Sequence, residues 1–257
     1  MESAVRAAAE LVEASQPLLC HAALPACATT IYEGAQGILL DEWRGFHPHT
    51  TWSTITLESA LSLIEESEVE KLCVLGVTRA YPPRHGVGPF PTSLPDLDAA
   101  LTDPGNPTTP WQGTLRRGWL DLVLLRYAVE VSGASLHGLV IDHLDELIRI
   151  PPNICMAYRR PSGERIERLP VAFGPSLLFQ SSLTELLNEA EPICELMSES
   201  ALPNFLAEHI ADIAVTAIGP TWLNRTIHAL RFDRITTDGI THLAANLNIA
   251  NAKDNGP

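Results

Sequence analysis

The sequence predicts an α/β fold, a mostly parallel sheet flanked by helices, and three observations predict it. Apolar runs at Lys71–Thr78, Leu136–Ile141 and Ile154–Arg159 alternate along the chain with segments of helical periodicity. The first run is read as continuously apolar, as a buried parallel strand would be, and the second as another buried strand. Polar turns come directly after several strand candidates, which is where open α/β sheets place ligand groups.

Taken in order, residues 4–14 are Ala-rich with Glu on one side and read as an amphipathic helix. Pro17 and Pro25 end it or punctuate the chain beyond it. Thr29–Tyr32 is β-prone and runs straight into the turn Glu33-Gly34-Ala35-Gln36-Gly37. Residues 57–67 form a helix with Leu57, Leu61 and Ile64 on one stripe. Arg79 to Thr92 holds four prolines and two glycines, a loop by composition, and residues 93–114 continue it. Asp121–Val131 is a strongly apolar helix ended by Gly133. Asp142 to Asp145 stands at the C-terminal end of the strand Leu136–Ile141. Pro161 to Glu164 is a turn leading to Arg165–Leu169. Thr184–Leu196 reads as an acidic helix. Leu206–His209 leads into a strand at Ile210–Ile218, ending at Gly219-Pro220. The small polar residues from about Asn246 onward form a disordered tail. With no linker, residues 1–245 form one domain.

Composition narrows the function classes. There are 31 acids against 17 bases, a net charge of −14. Nucleic acid and anionic membrane both call for a basic surface, so neither is a partner. No apolar run reaches the ~18 residues of a membrane span. The start is acidic where an export signal is basic, so the protein is expected in the cytoplasm. Five scattered cysteines give no Cys-x-x-Cys pair and no disulfide framework. Only Lys71 and Lys253 are lysines. An anion clamp must therefore come from arginine or backbone N–H groups. A Gly-x-x-x-x-Gly-Lys phosphate loop is absent.

Several segments carry more specific information. Glu33 to Asp41 reads Glu-Gly-Ala-Gln-Gly-Ile-Leu-Leu-Asp, with Gly45, Pro48 and Thr51 after it. Arg79-Ala-Tyr is followed by Arg84-His-Gly-Val-Gly-Pro-Phe-Pro-Thr92. Then come Gly118-Trp-Leu-Asp121 with Arg126-Tyr-Ala-Val129, Asp142-His-Leu-Asp145, Cys155-Met-Ala-Tyr-Arg159 and Gly219-Pro220. In this order, over roughly residues 1–225, the set resembles the adenylosuccinate synthetase family, and specifically its C-terminal part.

The resemblance implies a P-loop NTPase-related fold and a GTP- and Mg²⁺-dependent C–N ligase. Such an enzyme joins aspartate, or a related amine, to the carbonyl of IMP or a similar purine. The carbonyl oxygen leaves only after phosphorylation, which needs a base, an acid and cradled phosphates. The family places these in an N-terminal half with no counterpart here, so the resemblance implies no catalytic residue and no metal ligand in this chain. His47, His49 and His85 tempt assignment as the missing acid, but nothing in the sequence pairs them with a base.

Substrate positioning is what the resemblance leaves. Gln36 and Thr51 match positions that contact IMP; the alternative for the first is a turn whose glycines serve close packing. Asp41 reads as a structural hydrogen bonder. Thr114, Arg116 and Arg117 match the amine-donor loop, with Thr114 replacing an arginine; a planar guanidinium suits a carboxylate. Asp142, Gly219 and Pro220 match the guanine pocket. There Val140 and Ala217 replace a lysine and a serine, so Asp142 reads either a base edge or caps a strand end. A separate chain supplying the phosphate loop, and a homodimer, are implied as partners. The alternatives are a non-catalytic nucleotide-binding remnant or subunit, and a fragment without a stable fold.

Overall fold

The computed structural model describes residues 30–34, 36–65, 71–101, 106–111, 113–133, 136–148, 150, 152–217, 225–228 and 233–234. The chain divides into two units, residues 1–34 and 35–257. In the first, residues 30–34 carry no regular structure. The helix expected at 4–14, the tail from 246 and the Gly219-Pro220 turn lie outside the described residues.

The second unit is α/β, with a parallel sheet and flanking helices. Its strands are β1 (Lys71–Leu72), β2 (Leu75–Arg79), β3 (Pro83–His85), β4 (Leu115–Arg117), β5 (Leu120–Asp121), β6 (Gly138–Asp142), β7 (Asn153–Arg159), β8 (Arg165–Ile166), β9 (Glu191–Leu196), β10 (Ile213–Ala217), β11 (Arg225–Ile227) and β12 (Asp233–Arg234). Its helices are α1 (Glu58–Glu65), α2 (Pro95–Ala100), α3 (Leu122–Val131), α4 (Leu177–Glu189) and α5 (Leu202–His209). One sheet runs β11-β10-β6-β2, with β2–β6 and β6–β10 parallel and β11 antiparallel at the edge. A second sheet centres on β7. Strand β9 pairs antiparallel along one edge of β7, while parallel β5 and antiparallel β8 take the other. β3 and β4 form a short antiparallel ribbon.

Local chemistry explains the elements. Asp121 caps α3, its Oδ1 accepting from Leu124 N at 3.0 Å. Gly133, at φ 78°, ends that turn where a Cβ would be strained. α4 starts on Ser176, whose Oγ accepts from Phe179 N at 3.3 Å. It buries Gln180, Leu183, Thr184 and Leu187, one face of a 3.6-residue repeat.

Two cores result. One packs α3 residues Val123, Leu124, Tyr127 and Val131 with Cys155, Tyr158, Leu183 and Leu187. The other packs Leu139 and Ile141 of β6 with Leu122, Ile154, Leu202 and Leu206. That second core covers one face of the β11-β10-β6-β2 sheet. The opposite face carries Val77, Val140, Val215 and Ile227 in one cross-strand row. Val77 is 74% exposed and Ile227 68%.

Three sequence expectations need correction. The helix expected at Thr184–Leu196 is α4 ending at Glu189, and Glu191–Leu196 is strand β9. Pro192 would break a helix, whereas an edge strand tolerates it, and β9 satisfies the free backbone edge of β7. The expected loop from Arg79 to Thr114 contains β3 and α2. β3 is three polar or proline residues and exists because β4 pairs with it. Finally, residues 30–32 are not a strand.

A buried acid sits between the two layers. Asp121 Oδ2 accepts from the Tyr158 hydroxyl at 2.5 Å, and both residues are buried. Burial pushes the Asp121 carboxyl up to about 6, despite the hydrogen bonds from Tyr158 and the backbone that oppose the rise. A carboxyl raised above its unfolded value of ~3.9 makes the native state the better proton acceptor, so this group's stabilisation is fully present at low pH and is lost as pH rises from about 4 through 6. Asp121→Asn keeps the cap and removes the titration. It is expected to flatten the dependence of the melting temperature on pH between pH 4 and 7, by about 2 kcal/mol of stability change across that window.

Candidate functional site

The site is built at the C-terminal ends of β2 and β6, where the chain leaves the sheet into loops. Strand β2 continues through Ala80, Tyr81 and Pro82 into β3. β6 ends at Asp142, paired in register with Arg79. Ala80 N donates to Asp142 O at 2.8 Å, and the ring of Tyr81 meets that of His143 edge-on at 6.0 Å. The β3–β4 ribbon is thus anchored to the strand ends that carry Asp142.

Arg84 and Arg116 are cross-strand partners on that ribbon. Arg116 Nη2 donates to the carbonyls of Gly86 at 2.7 Å and Gly88 at 3.0 Å, and its guanidinium lies 5.5 Å from the Phe90 ring centre. Arg84 Nη2 donates to His49 O at 3.1 Å. The Nε of each arginine is buried without a partner. Gly88 has φ 133°, and a Cβ there would collide with the Arg84 guanidinium, so glycine is required on both counts. No carboxylate bonds either arginine among the described residues. Burial, then Arg116, pulls the Arg84 guanidinium below its ordinary range; burial does the same to Arg116, with Asp98 opposing. Both remain charged at neutral pH. His49 is held below its usual value by burial, then by Arg84, Arg116 and His47. Two guanidiniums and a histidine are thus held near one another, with Asp98 the carboxylate whose charge reaches Arg116.

Arg117 belongs elsewhere. Strand alternation turns it to the opposite face of the ribbon, where it is buried. Its backbone N donates to Asp98 Oδ1, and its guanidinium stands 4.0 Å from the same oxygen. Thr114 is exposed just before β4.

The loop from Gln36 to Thr56 supplies the other wall. It is organised by Asp41, 1% exposed, whose Oδ1 accepts from Trp43 N at 2.8 Å and Arg44 N at 2.9 Å. Its Oδ2 accepts from Ile55 N at 2.6 Å and Thr56 N at 3.4 Å. The helices clamp the loop from below. The Tyr127 hydroxyl donates to Arg44 O at 2.7 Å, Gln180 Nε2 to Trp43 O at 3.0 Å, and Thr184 Oγ1 to His47 O at 2.7 Å. Burial pushes the Tyr127 phenol up to about 12, so it stays a donor throughout the working pH range. His49, placed by this clamp, is what brings the loop to Arg84.

Within this wall, Thr51 gives both donors to one carbonyl: its N at 2.8 Å and its Oγ1 at 3.1 Å from Leu40 O. Its hydroxyl must rotate to donate to a ligand, but can accept from one as it stands. Gln36 is exposed and its amide has no partner among the described residues. A Cβ on Gly37 would meet nothing within 4 Å, so the close-packing explanation of that glycine does not hold. Asp142 Oδ1 accepts from His143 N at 2.9 Å, and its Oδ2 lies 3.3 Å from His143 Nδ1. His143 has φ 61°, a left-handed turn that the Asp142 carboxylate stabilises. The strand-end cap is therefore present, and the half-exposed carboxylate retains acceptor capacity.

Sequence reasoning singles out Arg116 and gives no role to Arg84 or His49. The signal for Arg84 is the Gly-Val-Gly that comes after His85, since a loop needing two glycines beside an arginine packs against its side chain. The described residues contain no grouping of three His, Cys, Asp or Glu able to hold a metal ion.

The chain is similar to known proteins over most of its length. Residues 2–218 match the family model of adenylosuccinate synthetase. An adenylosuccinate synthetase of Marinobacter nauticus is 34% identical over 201 residues, 74% of this chain and 46% of that protein. One of Edwardsiella ictaluri is 41% identical over 151 residues, 55% of this chain and 33% of that protein. The structure of the fully ligated adenylosuccinate synthetase of Plasmodium falciparum superimposes with a TM-score of 0.62 at 23% identity, over 77% of this chain and 49% of that one. The chain thus spans less than half the length of these relatives.

Proposed function

The chain belongs to the adenylosuccinate synthetase family, and on that premise we propose that it forms the acceptor- and donor-holding part of a GTP-dependent C–N ligase of purine biosynthesis. In this reading an IMP-like purine nucleotide lies along Gln36 and Thr51, and a carboxylate of aspartate or a related amine lies on Arg116 beside Arg84. The carrying observation is the pair of adjacent arginines with no carboxylate partner at the strand ends. A dicarboxylate supplies the missing counter-charge, and bidentate guanidinium contacts orient it toward the purine. Thr114 and Asp142 border this space, the latter as acceptor for a guanine edge, with Gly219 and Pro220 as its proposed companions.

GTP and Mg²⁺ belong to the proposal through the family, and would supply phosphorylation of the purine oxygen. The phosphate-cradling loop must come from sequence outside these 257 residues, on a longer form of this polypeptide or on a second one. A cytoplasmic setting is proposed as well; no described helix is long and apolar enough to cross a membrane.

Calorimetry tests the reading. IMP titrated into the chain is expected to bind, and aspartate to bind the IMP-loaded chain. Arg116→Leu should weaken the second event about 10- to 100-fold and spare the first, whereas Gln36→Ala should weaken the first. A chain indifferent to both ligands overturns the proposal. A second reading is a nucleotide-binding subunit without turnover. It predicts IMP binding with no succinylated product even when a phosphate-loop polypeptide from a relative is added.

A further inference from the structure

Two cysteines face each other across the β7–β9 ladder, far in sequence from the residues of the candidate site. Cys155 pairs in register with Cys194. Directly opposed residues of an antiparallel pair project to the same side, with Cα atoms about 4.5–5.5 Å apart. A disulfide spans about 4.4–6.8 Å, so this pair falls within its reach. The two thiols are close enough to act on each other's ionisation, Cys155 being pushed up and Cys194 held down. Cys155 is fully buried among Val123, Leu124 and Tyr158, while Cys194 is exposed on the edge strand. The ladder is irregular beside them: its register shifts between Cys155 and Ala157, leaving Met156 as an extra residue. β9 also contains Pro192, which withholds an N–H from the ladder. The local backbone can therefore adjust to a covalent link more readily than a regular ladder.

We propose that Cys155 and Cys194 are the two halves of a reversible disulfide, formed when the chain meets a hydroperoxide. The exposed Cys194 thiolate attacks one peroxide oxygen, breaking the O–O bond and becoming a sulfenic acid as the other oxygen leaves as hydroxide. The Cys155 sulfur then attacks the Cys194 sulfur, forming the S–S bond. The Cys155 proton and the sulfenic hydroxyl leave together as water. Across both steps two thiols lose two electrons and two protons, and one hydroperoxide is reduced. The buried sulfur is the resolving thiol and the exposed one the sensor, the asymmetry that a peroxide-responsive pair needs.

The test is thiol counting with peptide mapping on the native chain. One equivalent of hydrogen peroxide is expected to remove two of the five thiols together. The tryptic peptides holding Cys155 and Cys194 should then be joined, and dithiothreitol should separate them. Cys194→Ser should abolish the paired loss without lowering the melting temperature of the reduced chain by more than about 2 °C, since that side chain is solvent-facing. Repeating the oxidation in denaturant should scatter the bridge among Cys20, Cys27, Cys73 and the pair. A bridge mapping to another cysteine in the native chain overturns the proposal. So does oxidation of Cys194 to sulfinic acid with Cys155 still free, or paired thiol loss that survives Cys194→Ser.

Discussion

Asp41→Ala is expected to lower the stability of the chain by about 3–5 kcal/mol, read as the shift in urea midpoint at constant slope. The Asp41 carboxylate is buried and accepts from four backbone N–H groups at Trp43, Arg44, Ile55 and Thr56. Two belong to the turn directly after it and two to a segment more than ten residues on. One side chain thus closes the whole loop. Alanine leaves those donors buried without partners, and each orphan costs about 1–3 kcal/mol before the loop relaxes. Relaxation limits the total by letting water in, and the same relaxation disorganises Gly45 to His49. Gly45 sits where a Cβ would lie 2.6 Å from the carbonyls of Leu39 and Asp41, so the loop has little slack. Asp41→Asn should cost less, because its amide oxygen still accepts from one pair. A loss under about 1 kcal/mol for the alanine variant would show that the loop does not depend on this carboxylate.

Arg116→Leu is expected to reduce affinity for an acidic ligand by about 10- to 100-fold, the effect of one charged hydrogen-bonding group. The same change removes the clip on the carbonyls of Gly86 and Gly88, so part of the loss reflects a looser loop. Arg116→Lys separates the two contributions: it restores the charge without the planar fork, and should recover attraction without full affinity. A spectroscopic readout is built in. Arg116 is one of the causes holding His49 below its ordinary value, so Arg116→Leu should move the His49 titration upward, toward neutral pH. An unmoved His49 resonance would mean that the two residues do not share a field.

The parts of this fold legible in sequence are those stabilised locally or by continuous burial. Asp121 before an apolar run announces α3 as a cap, and the run at Gly138–Asp142 can only be an inner strand. The parts that are not legible depend on a distant partner. Pro83-Arg84-His85 has no strand propensity and pairs only because Leu115–Arg117 is delivered to it. Glu191–Leu196 continues the acidic composition of α4, and only Pro192 hints at the change of state. The candidate site divides the same way. Arg116 is identified through the resemblance of its segment to the family's amine-donor loop. Its juxtaposition with Arg84 is a matter of cross-strand register, which composition does not encode. The opposed roles of Arg116 and Arg117 come from the two-residue period of β4, a strand that its short, charged sequence does not betray.

The valine and isoleucine row across the β11-β10-β6-β2 sheet has a practical outcome for anyone handling the purified chain. Aliphatic surface left against solvent seeks its own kind, and Val77 with Ile227 offers it on a broad sheet face. Light scattering should climb with concentration well before any loss of helicity, mild non-ionic detergent should reverse it, and Val77→Lys should postpone it.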